Sequence, residues 1–192
     1  MEPSSRAKIA FIKILKILGS RAGRFKREPI CATVFLGYGE GQMTTHVLQS
    51  ELWLPVSREK VFPFFADARN LETITPPWLN FQVLTPDPIE MRAGTFIDYR
   101  LRLHGVPVRW RTEITGWNPP FSFCDEQRRG PYRRWRHTHT FEEKDGGTLC
   151  RDEVIYAVPG GALVNWLFVR HDVKKIFAYR AGALKNYFSV NN

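Results

Sequence analysis

Cysteines and long apolar runs are both scarce in this chain of 192 residues. The three cysteines form no CxxC pair, which argues against a disulfide framework and against a thiolate zinc site. We therefore expect a reducing compartment, the cytoplasm. The apolar stretch at residues 9–18 is interrupted by Lys13 and Lys16 and is shorter than the roughly 20 residues that a membrane-spanning helix needs. The sequence thus predicts no transmembrane segment.

Basic residues, in contrast, are abundant, and they give the chain a formal net charge of +9. More than half of this excess, a net charge of +5, falls in residues 1–42. Basic side chains there gather on one side of a helix over residues 6–18, so weak membrane contact is an alternative to a loose tail. We predict a basic, poorly structured or weakly helical extension over residues 1–42 and one folded domain over residues 43–192.

Regular strand and helix patterns follow from Met43 onward. They predict an α+β domain with seven strands, two short helices after the first strand and a long terminal helix. The short helices lie between an N-cap at Ser57 and a break before Pro76. The predicted strands cover residues 45–54, 81–84, 95–103, 106–117, 121–128, 132–143 and 148–158. The terminal helix covers residues 163–188, and its apolar stripe is expected to include Leu163, Leu167, Val173, Ile176, Phe177, Leu184 and Phe188.

A two-residue turn at His104 and Gly105 would fix which residues of the flanking strands face each other. Leu101 then faces Val108, and Tyr99 faces Trp110. The opposite side of this hairpin carries Arg100, Arg102, Arg109 and Arg111. Arg100 faces Arg109, a pairing that is tolerable only in water. We therefore assign the aromatic side to the interior and the arginine side to solvent.

The stretch RRWRHTHTFEEKDGGTLCRDEVIY, residues 133–156, supports a second hairpin that turns at residues 145–146. In this register His139 faces Asp152 and Trp135 faces Tyr156. The aromatic partners place this side inward, together with His137. The preceding strand is expected to add Phe121, Phe123 and Asp125 to the same inner side. Polar groups thus lie on the buried face of the predicted sheet.

The phrases NLETITPPWLNF, GTFIDYRLRLHGVPVRWRTEI, DEQRRGPYRRWRHTHTF and VRHDVKKIFAYRAGAL resemble the SRPBCC superfamily of START-like and polyketide cyclase-like proteins. The resemblance covers residues 45–187. It implies the helix-grip fold, in which a curved seven-stranded antiparallel sheet wraps around a long C-terminal helix and leaves a cavity for an apolar ligand. It implies no catalytic residue, because members share a cavity and not a reaction.

The inward positions form the candidate site. The predicted ligand-binding residues are Tyr99, Leu101, Trp110, Phe123, Asp125, Trp135, His137, His139, Asp152 and Tyr156. The polar members could orient a ligand's head group, or His139 and Asp152 could act as a general acid/base pair. They could also be a buried pair with no ligand role. A metal ion is not expected, because the sequence reveals neither a third strong ligand nor an ordered surrounding for the histidines.

These observations predict a protein that binds a hydrophobic or amphipathic small molecule without a cofactor. One alternative is a cyclase, dehydratase or hydrolase, although no nucleophile motif such as GxSxG occurs. Another is a lipid-binding protein that acts at a membrane through residues 6–18. No nucleic-acid partner is expected, because glutamates are interleaved with the outward arginines and no nucleic-acid-binding motif is present.

Overall fold

The computed structural model describes residues 43–190. The predictions about residues 1–42, including membrane contact through residues 6–18, lie outside the described residues. In chain order, the elements are β1 (His46–Leu54), α1 (Arg58–Ala66), α2 (Asn70–Ile74), a 3₁₀ turn (Pro77–Leu79), β2 (Gln82–Val83), β3 (Phe96–Leu103), β4 (Val106–Asn118), β5 (Ser122–Arg129), β6 (Arg134–Lys144), β7 (Gly147–Ala157), α3 (Gly161–Val164), a π-helical segment (Asn165–Val169) and α4 (Arg170–Val190).

The described strands form one seven-stranded antiparallel sheet in the order β1-β7-β6-β5-β4-β3-β2. Strands β2 to β7 are neighbours in both sequence and space, and β1 crosses over to pair with β7 along its whole length. The long C-terminal helix, residues 161–190, packs against one face of this sheet. The predicted α+β helix-grip fold, with two short helices after the first strand, is confirmed.

Both predicted hairpin registers are present. Leu101 pairs with Val108 and Tyr99 with Trp110, and the second hairpin pairs His139 with Asp152. The turn residues His104 and Gly105 have φ values of 50° and 83°, as a two-residue type I′ turn requires. Residues 145–146 have φ values of 51° and 74° and form the same turn. Local turn chemistry therefore accounts for the register of four of the seven strands.

The core lies between the inner face of the sheet and the helices. One apolar cluster joins β1, α1 and the end of α4 through Leu54, Phe62, Leu184 and other side chains. A second cluster joins β7 to the start of α4, where Val154 packs with Val173. Within residues 43–190, no helix is long and apolar enough to cross a membrane.

Three apolar positions are not where the sequence placed them. Leu163 and Leu167 were predicted to pack inward but are 66% and 44% exposed. The π-helical segment explains this shift, because its wider turn changes which residues face the sheet, and Asn165 and Val169 are buried instead. Phe121 is also exposed rather than inward, since it precedes β5 in the turn after Pro120, where strand alternation does not yet apply.

Candidate functional site

A cavity of about 180 Å³ lies between the inner face of the sheet, the α1–α2 segment and α4. Eight of the ten predicted ligand-binding residues line it: Tyr99, Leu101, Trp110, Phe123, Asp125, Trp135, His137 and His139. Asp152 and Tyr156 are not part of this wall as the described residues form it. Asp152 lies behind the histidines, and the buried Tyr156 hydroxyl donates to Asn165 Oδ1 at 3.0 Å. Their contact with a ligand stays a prediction.

Aromatic rings form much of the cavity wall. Trp135 packs edge-on against Trp110 with 5.4 Å between ring centroids, and Tyr132 lies 4.6 Å from Trp135. The indole Nε1 of Trp110 donates to Thr112 Oγ1 at 3.0 Å, so this partly buried donor is satisfied within the protein. The rings thus present apolar surface to the cavity.

Two histidines and two aspartates meet at the sheet side of the cavity, and we call Asp125, His137, His139 and Asp152 the His/Asp cluster. His137 Nε2–H donates to Asp152 Oδ1 at 2.9 Å, and His139 Nδ1 lies 2.8 Å from the same oxygen. Asp125 Oδ2 lies 3.7 Å from His137 Nδ1 and 3.5 Å from His139 Nε2. Each imidazole therefore lies between the same two carboxylates.

Strand geometry produces this arrangement. His137 and His139 are two residues apart on β6, so both side chains point to the same face of the sheet. Asp125 is the β5 partner of His137, and Asp152 is the β7 partner of His139. The carboxylates thus approach the two imidazoles from opposite neighbouring strands. The ring of Phe123 stacks on His139 with 4.2 Å between centroids and closes the apolar side.

Burial and the neighbouring charges shift the pKa values of the His/Asp cluster. Burial, reinforced by the neighbouring His139, lowers the pKa of His137. Burial also opposes a charge on His139, but its interactions with the Asp125 and Asp152 carboxylates outweigh that effect and raise its pKa. Burial disfavours the Asp152 carboxylate too, yet the two imidazoles hold its pKa well below the ordinary value. The two neighbouring imidazoles therefore have pKa values shifted in opposite directions, and both favour the ionised form of Asp152.

Arg180 is a cavity residue that the sequence prediction did not include. It lies on α4 between the buried Phe177 and Leu184, and its guanidinium lies 5.8 Å from the Phe177 ring centroid. No carboxylate in the described part of the chain lies within 4.0 Å of it. The sequence did contain a signal for this position, because Arg180 follows the apolar Phe177 by three residues and therefore lies on the same side of the helix.

The α1–α2 segment supplies a further part of the cavity wall that the sequence did not reveal, with Phe65, Leu71 and Ile74 among its lining residues. Helical periodicity predicted that apolar side chains of this segment point inward, but it did not indicate whether they pack on the sheet or line a cavity.

Three members of the His/Asp cluster have the donor atoms of a metal site. One ligand atom from each of Asp125, His137 and His139 lies within 4.8 Å of the other two. All three residues also line the cavity.

Comparison with solved structures shows this fold in several proteins. Protein Ms6760 from Mycobacterium smegmatis is 21% identical, and the match covers 77% of this chain and 92% of that one with a TM-score of 0.56. A START superfamily protein from the same organism is 13% identical and covers 77% and 99%, with a TM-score of 0.57. The major latex-like protein 151 from Panax ginseng is 11% identical and covers 75% and 97%, also with a TM-score of 0.57. These identities establish a shared fold alone.

A search of curated proteins finds no match. The family described as "Polyketide cyclase / dehydrase and lipid transport" does match, over residues 54–175 and thus over more than half of the chain. The match runs from the end of β1 through the sheet into α4 and includes every residue of the His/Asp cluster. The chain therefore belongs to the polyketide cyclase/dehydrase and lipid transport family of the SRPBCC superfamily.

Proposed function

We propose that the protein binds an apolar or amphipathic small molecule in the cavity between the sheet and α4. One observation carries the proposal: a mostly apolar, aromatic cavity wall includes a few polar side chains, among them the buried His137 and His139. Ligand sites in proteins typically combine an apolar surface with a few polar groups that fix orientation. The His/Asp cluster supplies such groups.

The cavity volume indicates what size of ligand fits inside the protein. An apolar cavity of about 150 Å³ takes up benzene. The cavity here is about 180 Å³ and therefore accommodates at least one aromatic ring. The wall rings Trp110, Tyr132 and Trp135 favour a flat, unsaturated ligand, because such a ligand makes ring contacts that an aliphatic chain cannot make.

Arg180 extends the proposal to the ligand's polar group. Its guanidinium belongs to the cavity wall and has no carboxylate partner in the described part of the chain. Guanidinium groups bind carboxylates and other oxyanions through paired N–H donors. We expect a ligand with an acidic or oxygen-rich end to bind more tightly than its neutral analogue.

The test is displacement of a fluorescent apolar probe from the full-length protein by aromatic acids and their neutral analogues. Leu101→Trp fills the cavity from the inner face of β3, and Arg102→Trp adds the same ring to the outer face of that strand. We expect Leu101→Trp to weaken probe binding at least tenfold and Arg102→Trp to leave it unchanged. Equal binding by a folded Leu101→Trp variant would refute the cavity as the binding site.

A second candidate function is lipid binding at a membrane surface, supported by a different observation. Leu163, Trp166 and Leu167 form an exposed apolar patch on consecutive helical turns, and the guanidinium of Arg170 lies 5.7 Å from the Trp166 ring centroid. Exposed leucine and tryptophan beside basic residues are typical of helices that lie in a membrane interface.

Flotation of the full-length protein with anionic phospholipid vesicles tests this second function. A Leu163→Ser/Leu167→Ser variant should lose vesicle binding, whereas Lys185→Ser, on the exposed side of α4, should not. Unchanged flotation of the double variant would exclude this patch as the contact surface.

A further inference from the structure

We propose that Asp125, His137 and His139 bind a divalent first-row transition-metal ion at the wall of the cavity, with Asp152 orienting both imidazoles. The inference goes beyond small-molecule binding and does not depend on it, because the ligand atoms all belong to the protein. It also departs from the sequence-based expectation of no metal, which rested on the lack of a visible third ligand.

Asp125 is that third ligand. Its Oδ2 atom lies 3.5 Å from His139 Nε2 and 3.7 Å from His137 Nδ1. A metal with bonds of 2.0–2.1 Å in tetrahedral geometry holds its ligand atoms about 3.3 Å apart. The two separations from Asp125 therefore need to contract by only a few tenths of an ångström. The ligand atoms of the two imidazoles lie within 4.8 Å of each other and need to approach by at most about 1.5 Å, a movement within the reach of side-chain torsions.

Asp152 supplies the ordered surrounding that a histidine metal site requires. It contacts the far nitrogen of each ring, Nε2 of His137 at 2.9 Å and Nδ1 of His139 at 2.8 Å. The opposite nitrogen of each ring is then directed toward Asp125. Histidine ligands in metal sites commonly donate their second N–H to a carboxylate, as His137 Nε2–H does to Asp152, and this bond fixes the tautomer and the ring orientation.

One buried nitrogen in the cluster is unsatisfied. Although His139 Nδ1 lies close to Asp152, the contact lacks hydrogen-bond geometry, and the atom has no other partner among residues 43–190. Buried polar atoms without a partner are rare, and an ion or a functional role is a recognised explanation for them. Drawing His139 Nε2 onto a metal would reorient the ring and allow Nδ1–H to donate to Asp152.

The donor set indicates the class of ion. Two imidazole nitrogens and one carboxylate oxygen suit zinc and the neighbouring divalent transition metals, whereas calcium and magnesium prefer oxygen ligands alone. Asp125, His137 and His139 line the cavity, so the remaining coordination positions face it and are open to water or to a ligand's oxygen. Such a site has the composition of catalytic zinc and non-haem iron centres, which keep open positions.

The experiment is a titration of the full-length, chelator-treated protein with Zn²⁺, with Mg²⁺ as the control ion and no organic ligand present. Asp125→Asn and His139→Gln should each weaken Zn²⁺ binding at least about 100-fold, and Asp152→Asn should weaken it about 10- to 100-fold. His171→Gln is the matched control, because it removes an exposed histidine of α4 that does not line the cavity. We expect this control to bind Zn²⁺ as the unmodified protein does.

Co²⁺ substitution in the unmodified protein keeps the test valid if a cluster variant does not fold. The visible absorption spectrum and X-ray absorption of the Co²⁺ form should report two imidazole ligands and no thiolate. No preference for Zn²⁺ over Mg²⁺, thiolate ligation, or unweakened binding by a folded Asp125→Asn variant would each overturn the proposal. Probe binding to the metal-free protein is measured separately, so failure of the metal site is distinguishable from failure of the cavity as a binding site.

Discussion

The inner and outer faces of strands β5 to β7 both carry charged groups, but in opposite environments. On the outer face, Arg128 pairs with Glu113 at 2.6 Å and Arg136 lies 3.7 Å from Glu126. On the inner face, His137 and His139 lie between two aspartates. The Arg128 side chain is 42% exposed, whereas the imidazoles are only 5% and 6% exposed.

This difference in burial decides what the charges do. Water screens the outer pairs, and exposed ion pairs of this kind contribute between nothing and about 1 kcal/mol to stability. The inner groups have lost most of their water, so each depends on its neighbours for compensation, and their pKa values shift accordingly. The net charge of the chain therefore gives little information about the candidate site, whereas the few buried charges on the inner face supply its polar groups.

The largest difference in stability between the two faces is expected when one charge is removed from each face of β7. Asp152→Ala should lower the free energy of unfolding by about 3–5 kcal/mol, because it leaves buried groups without their partner. Glu153, the next residue, points outward and receives a hydrogen bond from Gln49, and Glu153→Ala should cost no more than about 1 kcal/mol. Denaturant unfolding of both variants measures this contrast. Equal losses would show that burial does not separate the two faces.

The same contrast extends from charges to apolar side chains on the terminal helix. Leu184 is buried against α1 and the sheet, and Leu184→Ala should cost about 2–5 kcal/mol through lost contacts and a cavity. Leu167→Ala, at an exposed position, should change stability by no more than about 0.5 kcal/mol. Thermal and denaturant unfolding of this matched pair tests the π-helical shift directly. A large loss for Leu167→Ala would mean that the residue packs inward, as the sequence periodicity predicted.

A smaller effect is expected on the outer face itself. Arg128→Ala removes contacts to both Glu113 and Glu126. It should lower stability by at most about 1 kcal/mol, and the difference from the unmodified protein should shrink as salt is added. Unfolding at low and high ionic strength measures both quantities. A loss that is large and independent of salt would place these arginines in a less exposed environment.

The smallest effect concerns residues 1–42. The described sheet, helices and apolar clusters are built from residues 43–190, and we therefore expect a chain that starts at Met43 to unfold at nearly the same temperature as the full-length protein. Differential scanning calorimetry of the two chains provides the comparison. A fall of many degrees in the shortened chain would show that the extension packs on the domain.

The sequence by itself determined the register of the two hairpins, β3–β4 and β6–β7, and which face of each hairpin lies inward. Turn residues at positions 104–105 and 145–146 dictate which residues pair, and side chains alternate strictly along a strand. These two local rules were enough to place His139 across from Asp152 and to send Arg100 and Arg109 to the outer face together. The sequence suffices for these features because residues in the turn and backbone hydrogen bonds between adjacent strands determine them.

Only the tertiary structure decided how the inner groups meet. Asp125 was predicted to face inward, but its approach to both imidazoles depends on how β5 lies beside β6. Asp152 lies behind the histidines rather than in the cavity wall. Arg180 lines the cavity because the rotation of α4 about its own axis turns this side chain toward the sheet. The exposure of Leu163 likewise follows from the π-helical segment. These features result from packing between elements distant in the sequence, which neither periodicity nor turn chemistry encodes.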